Sequence, residues 1–494
     1  MKLSELLAGL EYISNRDMDQ LKECEIDNIC YDSRKAIKNG IFVAIKGETV
    51  DGHKYVDSAY QKGCRAFVVN DNMDLAEDAI MIIVDDSRNC LSHISANFFG
   101  NPSKDLKVIG VTGTKGKTTI TNYLRSVLTK SGLNTGVIGT NGVFYNDYAG
   151  KTINTTPESY ELHKTIREMV DAGVKCVAME VSSGGLMMER VNHVDFDIGI
   201  YTNLSPDHIG PKEHPTFEDY RDCKSRLFAL CRHGIINIDD DYASYMIDKA
   251  TCDIETFSIK KPSDYRAEDI SLTRTQTSLG VDFKYIRNGQ STQTHIASPG
   301  EFSVYNALAV IATANYLGID KTKMLSALAT AQVDGRVEVI PSIPDITVVL
   351  DYAHNGVSLE NVLETLLKYK PRRLICVFGS IGGRSVLRRK ELGDVAAKLC
   401  DISILTTDNP EEDPMNIIND IEESFVDSKC QVLKIVDRSQ AILKGIEIAQ
   451  PGDMVIVAGK GHEKYQIIHG ERVFYDEKAE VLKAIEIVKD RQDS

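Results

Sequence analysis

One ten-residue stretch, Gly110-Val-Thr-Gly-Thr-Lys-Gly-Lys-Thr-Thr119, carries the residue types needed to hold a phosphate. The apolar Leu106, Val108 and Ile109 precede it, and Ile120, Tyr123, Leu124, Val127 and Leu128 follow at helical spacing, so it is the turn of a strand-loop-helix unit. In such a turn glycines (Gly113, Gly116) let the backbone approach an anion, and unpaired N–H groups at the helix start point at it, with Thr114, Lys115 and Thr119 in the same loop. Lys117 adds a mobile positive charge, and the Thr118 hydroxyl can hold Mg2+. The loop is a variant, because Val111 stands where the strict Gly-x4-Gly-Lys-Thr pattern has glycine. The chemistry it announces is nucleotide phosphate binding, and the plain alternative is a glycine-rich turn that only joins strand to helix.

Other groups follow that could act on a bound phosphate. The strand Lys175-Cys-Val-Ala-Met-Glu180 ends in an acid and continues as Val-Ser-Ser183. A carboxylate at the carboxyl end of a strand beside a phosphate loop is well placed for Mg2+. The strand Ile198-Gly-Ile-Tyr-Thr202 runs into Asn203-Leu-Ser-Pro-Asp-His208, and a helix from Phe217 to Phe228 carries Lys224. His208 could approach the metal, although a lone histidine there is more often a loop residue, and the plain reading of Lys224 is a solvated lysine. Further on, four apolar strands (Thr347–Asp351, Leu374–Phe378, Ile402–Thr406, Met454–Ala458) each end in polar loops: Asp351-Tyr-Ala-His-Asn355, Gly379 to Arg389, Thr407-Asp-Asn-Pro410 and Gly459-Lys-Gly-His-Glu463. Four such ends on one edge of an open α/β sheet form a ligand crevice.

These groups need a scaffold of more than one core. At about 150 residues per domain, 494 residues predict roughly three. Residues 1–103 read as a small α/β unit, with strands at Gly40–Ile45, Arg65–Val69 and Met81–Val84 around a helix near Tyr55–Lys62. From 104 to 331 strands alternate with helices, which favours a mainly parallel sheet covered on both faces, and from 332 to 494 a third α/β unit follows. Asn101-Pro-Ser-Lys104 reads as a hinge, with a second near 331. Two polar loops, Tyr31-Asp-Ser-Arg34 and Gly47 to His53, could touch a ligand or be ordinary turns.

Composition removes several classes. The chain has 57 basic and 72 acidic residues, a net charge of −15, and no basic tract, which disfavours nucleic acid and anionic membrane surfaces as partners. Its eleven cysteines form no Cys-x-x-Cys pair and predict buried thiols in a reducing, cytoplasmic setting. The N-terminal Leu3, Leu6, Leu7 and Leu10 are spaced as an amphipathic helix mixed with Glu5 and Glu11, unlike a signal peptide. No run of about 20 apolar residues exists to span a membrane.

Taken together and in order, Gly113-Thr-Lys-Gly-Lys-Thr-Thr119, Glu180-Val-Ser-Ser183, Thr202-Asn-Leu-Ser-Pro-Asp-His208, Lys224, Asn306, Asp334-Gly-Arg336 and Asp351-Tyr-Ala-His354 resemble the Mur ligase family across nearly the whole chain. Tyr31-Asp-Ser-Arg34, Asn154-Thr-Thr156, Asp408-Asn-Pro410 and Gly459-Lys-Gly-His-Glu463 look like its MurE branch, which adds the third residue of the peptidoglycan stem peptide. The resemblance implies an N-terminal domain for the UDP of UDP-N-acetylmuramoyl-L-alanyl-D-glutamate, a central P-loop ATPase domain and a C-terminal Rossmann-like domain for the incoming amino acid. It implies a cytoplasmic, monomeric ATP-dependent peptide ligase that uses two Mg2+ sites and closes about its hinges. Ser33 would contact the uridine end, and Asn154, Thr155, Thr156, Ser182 and Arg190 the muramoyl-peptide. Thr118, Glu180, His208 and Lys224 would form the metal site, Lys224 as a carbamate made with CO2, and Lys117 would serve catalysis beside them. Asn306, Arg336, Asp351 and His354 would serve the nucleotide. Arg384 would bind the amino acid's α-carboxylate, with Asp408, Asn409, Pro410, Glu411, Gly459 and Glu463 around it.

The third amino acid depends on a short motif. Family members that take meso-diaminopimelate carry Asp-Asn-Pro-Arg, whereas this chain reads Asp408-Asn-Pro-Glu411, and an acid there would repel a distal carboxylate and attract an ammonium. Ser205 to His214 also looks like the lysine-adding branch. The expectation is therefore L-lysine, with meso-diaminopimelate the alternative and L-ornithine a minor one. Three departures from the family pattern stand out: Gly184-Gly185 where a His commonly follows Glu-Val-Ser-Ser, Met188 for a Gln, and Gly382-Gly-Arg-Ser385 with an acid missing on each side of the arginine. Remoter readings are a folylpolyglutamate-synthase-like ligase and a non-catalytic ATP-binding switch.

Overall fold

The computed structural model describes every residue except 48–49, 208, 211–212, 276–277, 334, 384–385, 469 and 493–494. Two compact units emerge, residues 1–266 with 308–324, and residues 267–307 with 325–494.

The first unit opens with a five-stranded sheet made of β1 (Ile13–Ser14), β2 (Asn28–Cys30), β3 (Gly40–Val43), β4 (Ala66–Val69) and β5 (Ile80–Ile83), in the order β1-β5-β4-β3-β2. β2 to β5 pair in parallel and β1 is antiparallel at one edge. Leu3, Leu6 and Leu7 of the N-terminal segment are buried, as their spacing predicts, although the helix itself spans only Leu3–Leu6. Asn101-Pro-Ser-Lys104 is a 3-10 turn entered through a left-handed Asn101.

The nucleotide-type part of this unit is built on β6 (Lys107–Thr112), β7 (Thr135–Gly139), β8 (Gly142–Tyr145), β9 (Tyr148–Gly150), β10 (Cys176–Glu180), β11 (Phe196–Tyr201), β12 (Cys231–Asn237) and β13 (Asp253–Ser258). The ladder β7-β10-β6-β11-β12-β13 is parallel throughout, and β8 and β9 extend it as antiparallel hairpins. Parallel strands covered on both faces form near-continuous apolar runs, and β10, β11 and the last five residues of β6 are buried at every position, Glu180 and Asp197 included. The helix Lys117–Lys130 buries Ile120, Tyr123, Leu124, Val127 and Leu128, the stripe that its spacing predicts. The N-terminal sheet is tied to the helix Ser159–Asp171 by Tyr31 Oη donating to Glu161 (2.9 Å) and Tyr160 Oη to Asn28 (3.0 Å).

The second unit contains β14 (Tyr265–Arg274, from Ala267 on), β15 (Leu279–Arg287) and β16 (Gln290–Ile296), a ribbon in which β15 and β16 pair antiparallel. Sequence alternation between 104 and 331 did not announce this ribbon, because its exposed faces are polar and no helix separates the strands. Beyond it lies a six-stranded sheet of β17 (Glu338–Ile340), β18 (Thr347–Asp351), β19 (Leu374–Phe378), β20 (Ile402–Leu405), β21 (Gln431–Lys434) and β22 (Met454–Ala458), ordered β17-β18-β22-β19-β20-β21. All pairs but β17-β18 are parallel. The predicted polar loops after β18, β22, β19 and β20 therefore do leave one edge of one sheet. A small hairpin, β23 (Tyr465–Ile468) with β24 (Glu471–Phe474), completes the unit before the helix Glu477–Gln492.

Candidate active site

The phosphate loop joins β6 to the helix Lys117–Lys130, with Gly113 at φ +140° and Gly116 at φ +91°. Glycine is required at the first position on two grounds: the angle disfavours any side chain, and an added Cβ would sit 1.9 Å from Thr202 Oγ1. Two lysines converge on the same carbonyl. Lys117 Nζ donates to Gly113 O (2.8 Å) and Thr114 O (3.0 Å), and Lys224 Nζ donates to Gly113 O (2.9 Å). Lys224 is not a solvated lysine. It is 1% exposed on the helix Phe217–Ser225, its Nζ 4.5 Å from the centre of the Tyr220 ring. Burial lowers both lysine pKa values; the neighbouring Lys117 charge adds to the effect at Lys224, which is pushed well below the ordinary lysine range, while Glu180 and Asp207 partly restore Lys117.

Glu180, at the carboxyl end of β10, is 1% exposed and faces the start of the loop helix. Its carboxylate accepts from Thr118 Oγ1 (3.0 Å), Thr140 N (2.9 Å) and Thr140 Oγ1 (3.2 Å). Gly139 makes room for it, since a Cβ there would lie 2.3 Å from Oε1. Hard oxygen donors from a threonine in the first turn of the loop helix and a carboxylate at the end of the neighbouring strand suit Mg2+, so the residues present fit that ion. His208, expected with them, lies outside the described residues.

Next to this site the expected muramoyl-peptide residues come together. Thr156 Oγ1 bonds Glu180 O and Ser182 Oγ, both at 3.0 Å, and Thr155 meets Thr140 (3.1 Å). Arg190 donates to Thr156 O (3.1 Å) and pairs with Glu158 at 2.6 Å. Ser182 caps the helix Ser183–Met187, and Gly185 packs against Thr156 where a Cβ would meet it at 2.8 Å, which accounts for the glycine at that position. Asn154 is half-buried in the same segment. Ser33 opens a 3-10 turn capped by Asp32, with Arg34 paired to Asp32 at 2.9 Å.

In the second unit, Asp351 at the end of β18 is buried and accepts from Val337 N and Ala353 N, both at 2.7 Å; burial raises its pKa. Arg336 lies over the Tyr352 ring at 5.1 Å, with its Nε buried and without a hydrogen-bond partner among the described residues. His354 bonds Tyr352 O at 3.0 Å, and Asn306 is buried on the helix Glu301–Tyr316. Asp334 and Arg384 lie outside the described residues.

The loops after β20 and β22 form a buried charged network. Lys460 is fully buried, pairing with Asp408 Oδ1 (3.0 Å) and donating to Asn409 Oδ1 (2.9 Å), with Glu463 at 3.7 Å. Asp408 and Asn409, expected to meet the amino acid, are thus also bound to an internal lysine. Glu463 sits between Tyr352 and Tyr465, and burial raises its pKa. Arg438 pairs with Glu477 at 2.6 Å and donates to Thr407 O and Ala458 O, tying both strand ends together. Gly459 (φ +124°) and Pro410 are buried here, whereas Glu411 is exposed and approaches Gly383. Sequence reading missed Arg438, Lys460, Thr140 and Tyr220 as contributors. Only Lys460 carried a signal, a lysine between two glycines at a strand end.

A phosphate loop with an acidic strand end beside it is the architecture of a P-loop nucleotide-binding protein, and the second α/β unit presents a ligand edge of its own. Three family models match in sequence order: Mur ligase family, catalytic domain, over residues 25–99; Mur ligase middle domain over 111–314; and Mur ligase, glutamate ligase domain, over 335–461. A UDP-N-acetylmuramoyl-L-alanyl-D-glutamate–2,6-diaminopimelate ligase of Clostridium perfringens is 39% identical over 494 residues, covering 98% of this chain and 100% of the relative. The enzyme of the same name from Caldanaerobacter subterraneus is 39% identical over 487 residues, covering 98% and 99%. A solved structure of a ligase of that name is similar at a TM-score of 0.75 and 28% identity, covering 100% of this chain and 99% of that one. The chain belongs to the Mur ligase family, in its MurE branch, and is an ATP-dependent ligase.

Proposed function

We propose that the protein joins meso-diaminopimelate to the D-glutamyl side-chain carboxylate of UDP-N-acetylmuramoyl-L-alanyl-D-glutamate, using ATP, in peptidoglycan precursor synthesis. The observation that carries the ligase chemistry is the meeting of Lys117, Lys224, Thr118 and Glu180 around one phosphate loop. The names of relatives matching nearly end to end support the substrates.

A carboxylate is a poor electrophile, so the γ-phosphoryl group passes to it first, giving an acyl phosphate. The incoming amine then attacks that carbonyl, and the tetrahedral intermediate collapses to amide and phosphate. In the first step anions crowd together, and the protein's work is positioning and charge neutralisation. Lys117 and the N–H groups at the start of the loop helix, Lys117 to Thr119, supply the fixed positive field, whereas the N–H groups of Thr114 and Lys115 are held by Asn203 O (2.8 Å) and Oδ1 (3.0 Å). Thr118 and Glu180 would hold Mg2+, which when bound neutralises phosphate charge, with His208 and Lys224 as further contributors. Buried beside Lys117, Lys224 favours its neutral amine, the form that adds CO2. The resulting carbamate would replace repulsion from Lys117 by attraction, and this supports carbamylation at Lys224.

In the same reading Ser33 serves the uridine end, Asn154, Thr155, Thr156, Ser182 and Arg190 the muramoyl-peptide, and Asn306, Arg336, Asp351 and His354 the nucleotide. Arg384, Asp408, Asn409, Pro410, Glu411, Gly459 and Glu463 serve the amino acid. The functional division is 1–103 for UDP, 104–331 for ATP and 332–494 for the amino acid. The sequence expectation of L-lysine gives way to its alternative, because the relatives that match over full length carry the diaminopimelate name. L-lysine remains a second reading on one observation: Glu411 is an exposed acid where diaminopimelate-adding members carry arginine.

Incorporation of each labelled amino acid into UDP-muramoyl-dipeptide tests this. Diaminopimelate-dependent phosphate release is expected, and it stops when dipeptide or amino acid is omitted. Use of lysine without diaminopimelate would establish the second reading, and phosphate release indifferent to both would overturn the ligase assignment.

A further inference from the structure

We infer that Cys231 and Cys252 form a reversible intramolecular disulfide under thiol-oxidising conditions, a modification site independent of the ligation chemistry. Their sulfurs lie 3.5 Å apart, in contact, one thiol facing the other. Cys231 opens β12, directly after the helix Leu227–Leu230, and Cys252 immediately precedes β13 on the neighbouring parallel strand. A glycine makes the space for Cys231: a Cβ at Gly199 would lie 2.8 Å from its Sγ. Thr251 N donates to Phe228 O (3.2 Å), which fixes the segment carrying Cys252 against the helix before Cys231. A bond of about 2.05 Å requires the sulfurs to close by only about 1.5 Å.

Access separates this pair from the other cysteines. Of the eleven, only Cys24 and Cys252 are half-exposed, and only Cys252 of those two has a second thiol against it. Cys252 is half-exposed and Cys231 buried, so Cys252 is the sulfur that a dissolved oxidant reaches first. With a disulfide oxidant such as oxidised glutathione, the Cys252 thiolate attacks one glutathione sulfur, forms a mixed disulfide and expels a glutathione thiolate. Cys231, losing its proton, attacks the Cys252 sulfur, forms the protein S–S bond and expels the second glutathione. The protein gives up two electrons and two protons, and two glutathione thiols result.

The full-length protein is incubated with oxidised glutathione, its remaining thiols are alkylated, and its peptides are mapped by mass spectrometry. The expected result is a peptide pair linked through Cys231 and Cys252, two fewer alkylated thiols, and reversal by dithiothreitol. C252S loses the cross-link and leaves Cys231 reduced, and C231S stops at a glutathione adduct on Cys252. As a check that does not depend on either variant, the Tm of oxidised wild-type protein rises by a few degrees over that of the reduced form. A stable mixed disulfide at Cys252 in the wild type, full alkylation of both residues after oxidant, or a cross-link elsewhere would overturn the inference.

Discussion

Replacing Arg438 with methionine tests whether the two loops at the amino-acid edge are held by one buried ion pair. The Arg438 and Glu477 side chains are 1% and 0% exposed, and Nε meets Oε1 at 2.6 Å. The other two nitrogens satisfy Thr407 O (3.0 Å) and Ala458 O (2.8 Å), the carbonyls just before Asp408 and Gly459. Burial alone would lower the guanidinium pKa, but Glu477 and Asp408 outweigh it, so the group stays charged. Arg438→Met leaves a carboxylate without its partner and two carbonyls unsatisfied. Breaking a buried pair in this way costs about 3–5 kcal/mol, which for a unit of this size is a fall in Tm of roughly 6–20 °C. Glu477→Leu on the R438M background removes the stranded charge and should recover at least about 1.5 kcal/mol. Calorimetry of the full-length wild type, both single variants and the double variant measures the cycle. In steady-state assays R438M should raise the KM for the amino acid more than that for ATP. A Tm change below about 3 °C, or a double variant no more stable than R438M, would refute the reasoning.

Gly113→Ala should abolish nucleotide binding in isothermal titration, because φ +140° and the 1.9 Å approach to Thr202 Oγ1 force the loop open. His163 is fully buried, neither ring nitrogen has a hydrogen-bond partner among the described residues, and burial pushes its pKa down to about 3. Its folded pKa lies below its unfolded one, so the unfolded chain binds the proton first and stability is lost as pH falls from about 6.5 toward 3. His163→Leu should leave stability near pH 7 little changed and move the acid unfolding midpoint to lower pH. Glu411→Arg should raise kcat/KM for diaminopimelate relative to lysine by about tenfold, the equivalent of about 1.4 kcal/mol, and competition between the two labelled amino acids measures the ratio.

Much of the scaffold is legible along the chain. β18, β19 and β22 coincide residue for residue with the apolar runs that predict them, since a strand buried on both faces can tolerate almost nothing polar. The phosphate loop is equally local, because its glycines, lysine and hydroxyls act within one turn. The ribbon β14 to β16 escaped because alternating polar strands without intervening helices imitate loop sequence.

Sequence alone thus determined the phosphate loop, the acidic strand end at Glu180 and the set of polar loops along the second sheet. Tertiary structure decided which partners those groups have. Lys224 reaches Gly113 across 111 residues and Tyr220 meets Thr114 across 106, so nothing in their neighbourhoods announces the contact. Arg438 looks like any surface arginine until the sheet closes over it and brings Glu477 within 2.6 Å. The physical reason is range: backbone geometry and apolar periodicity are set by neighbours, whereas the charge state of a buried side chain depends on whatever the folded chain places around it.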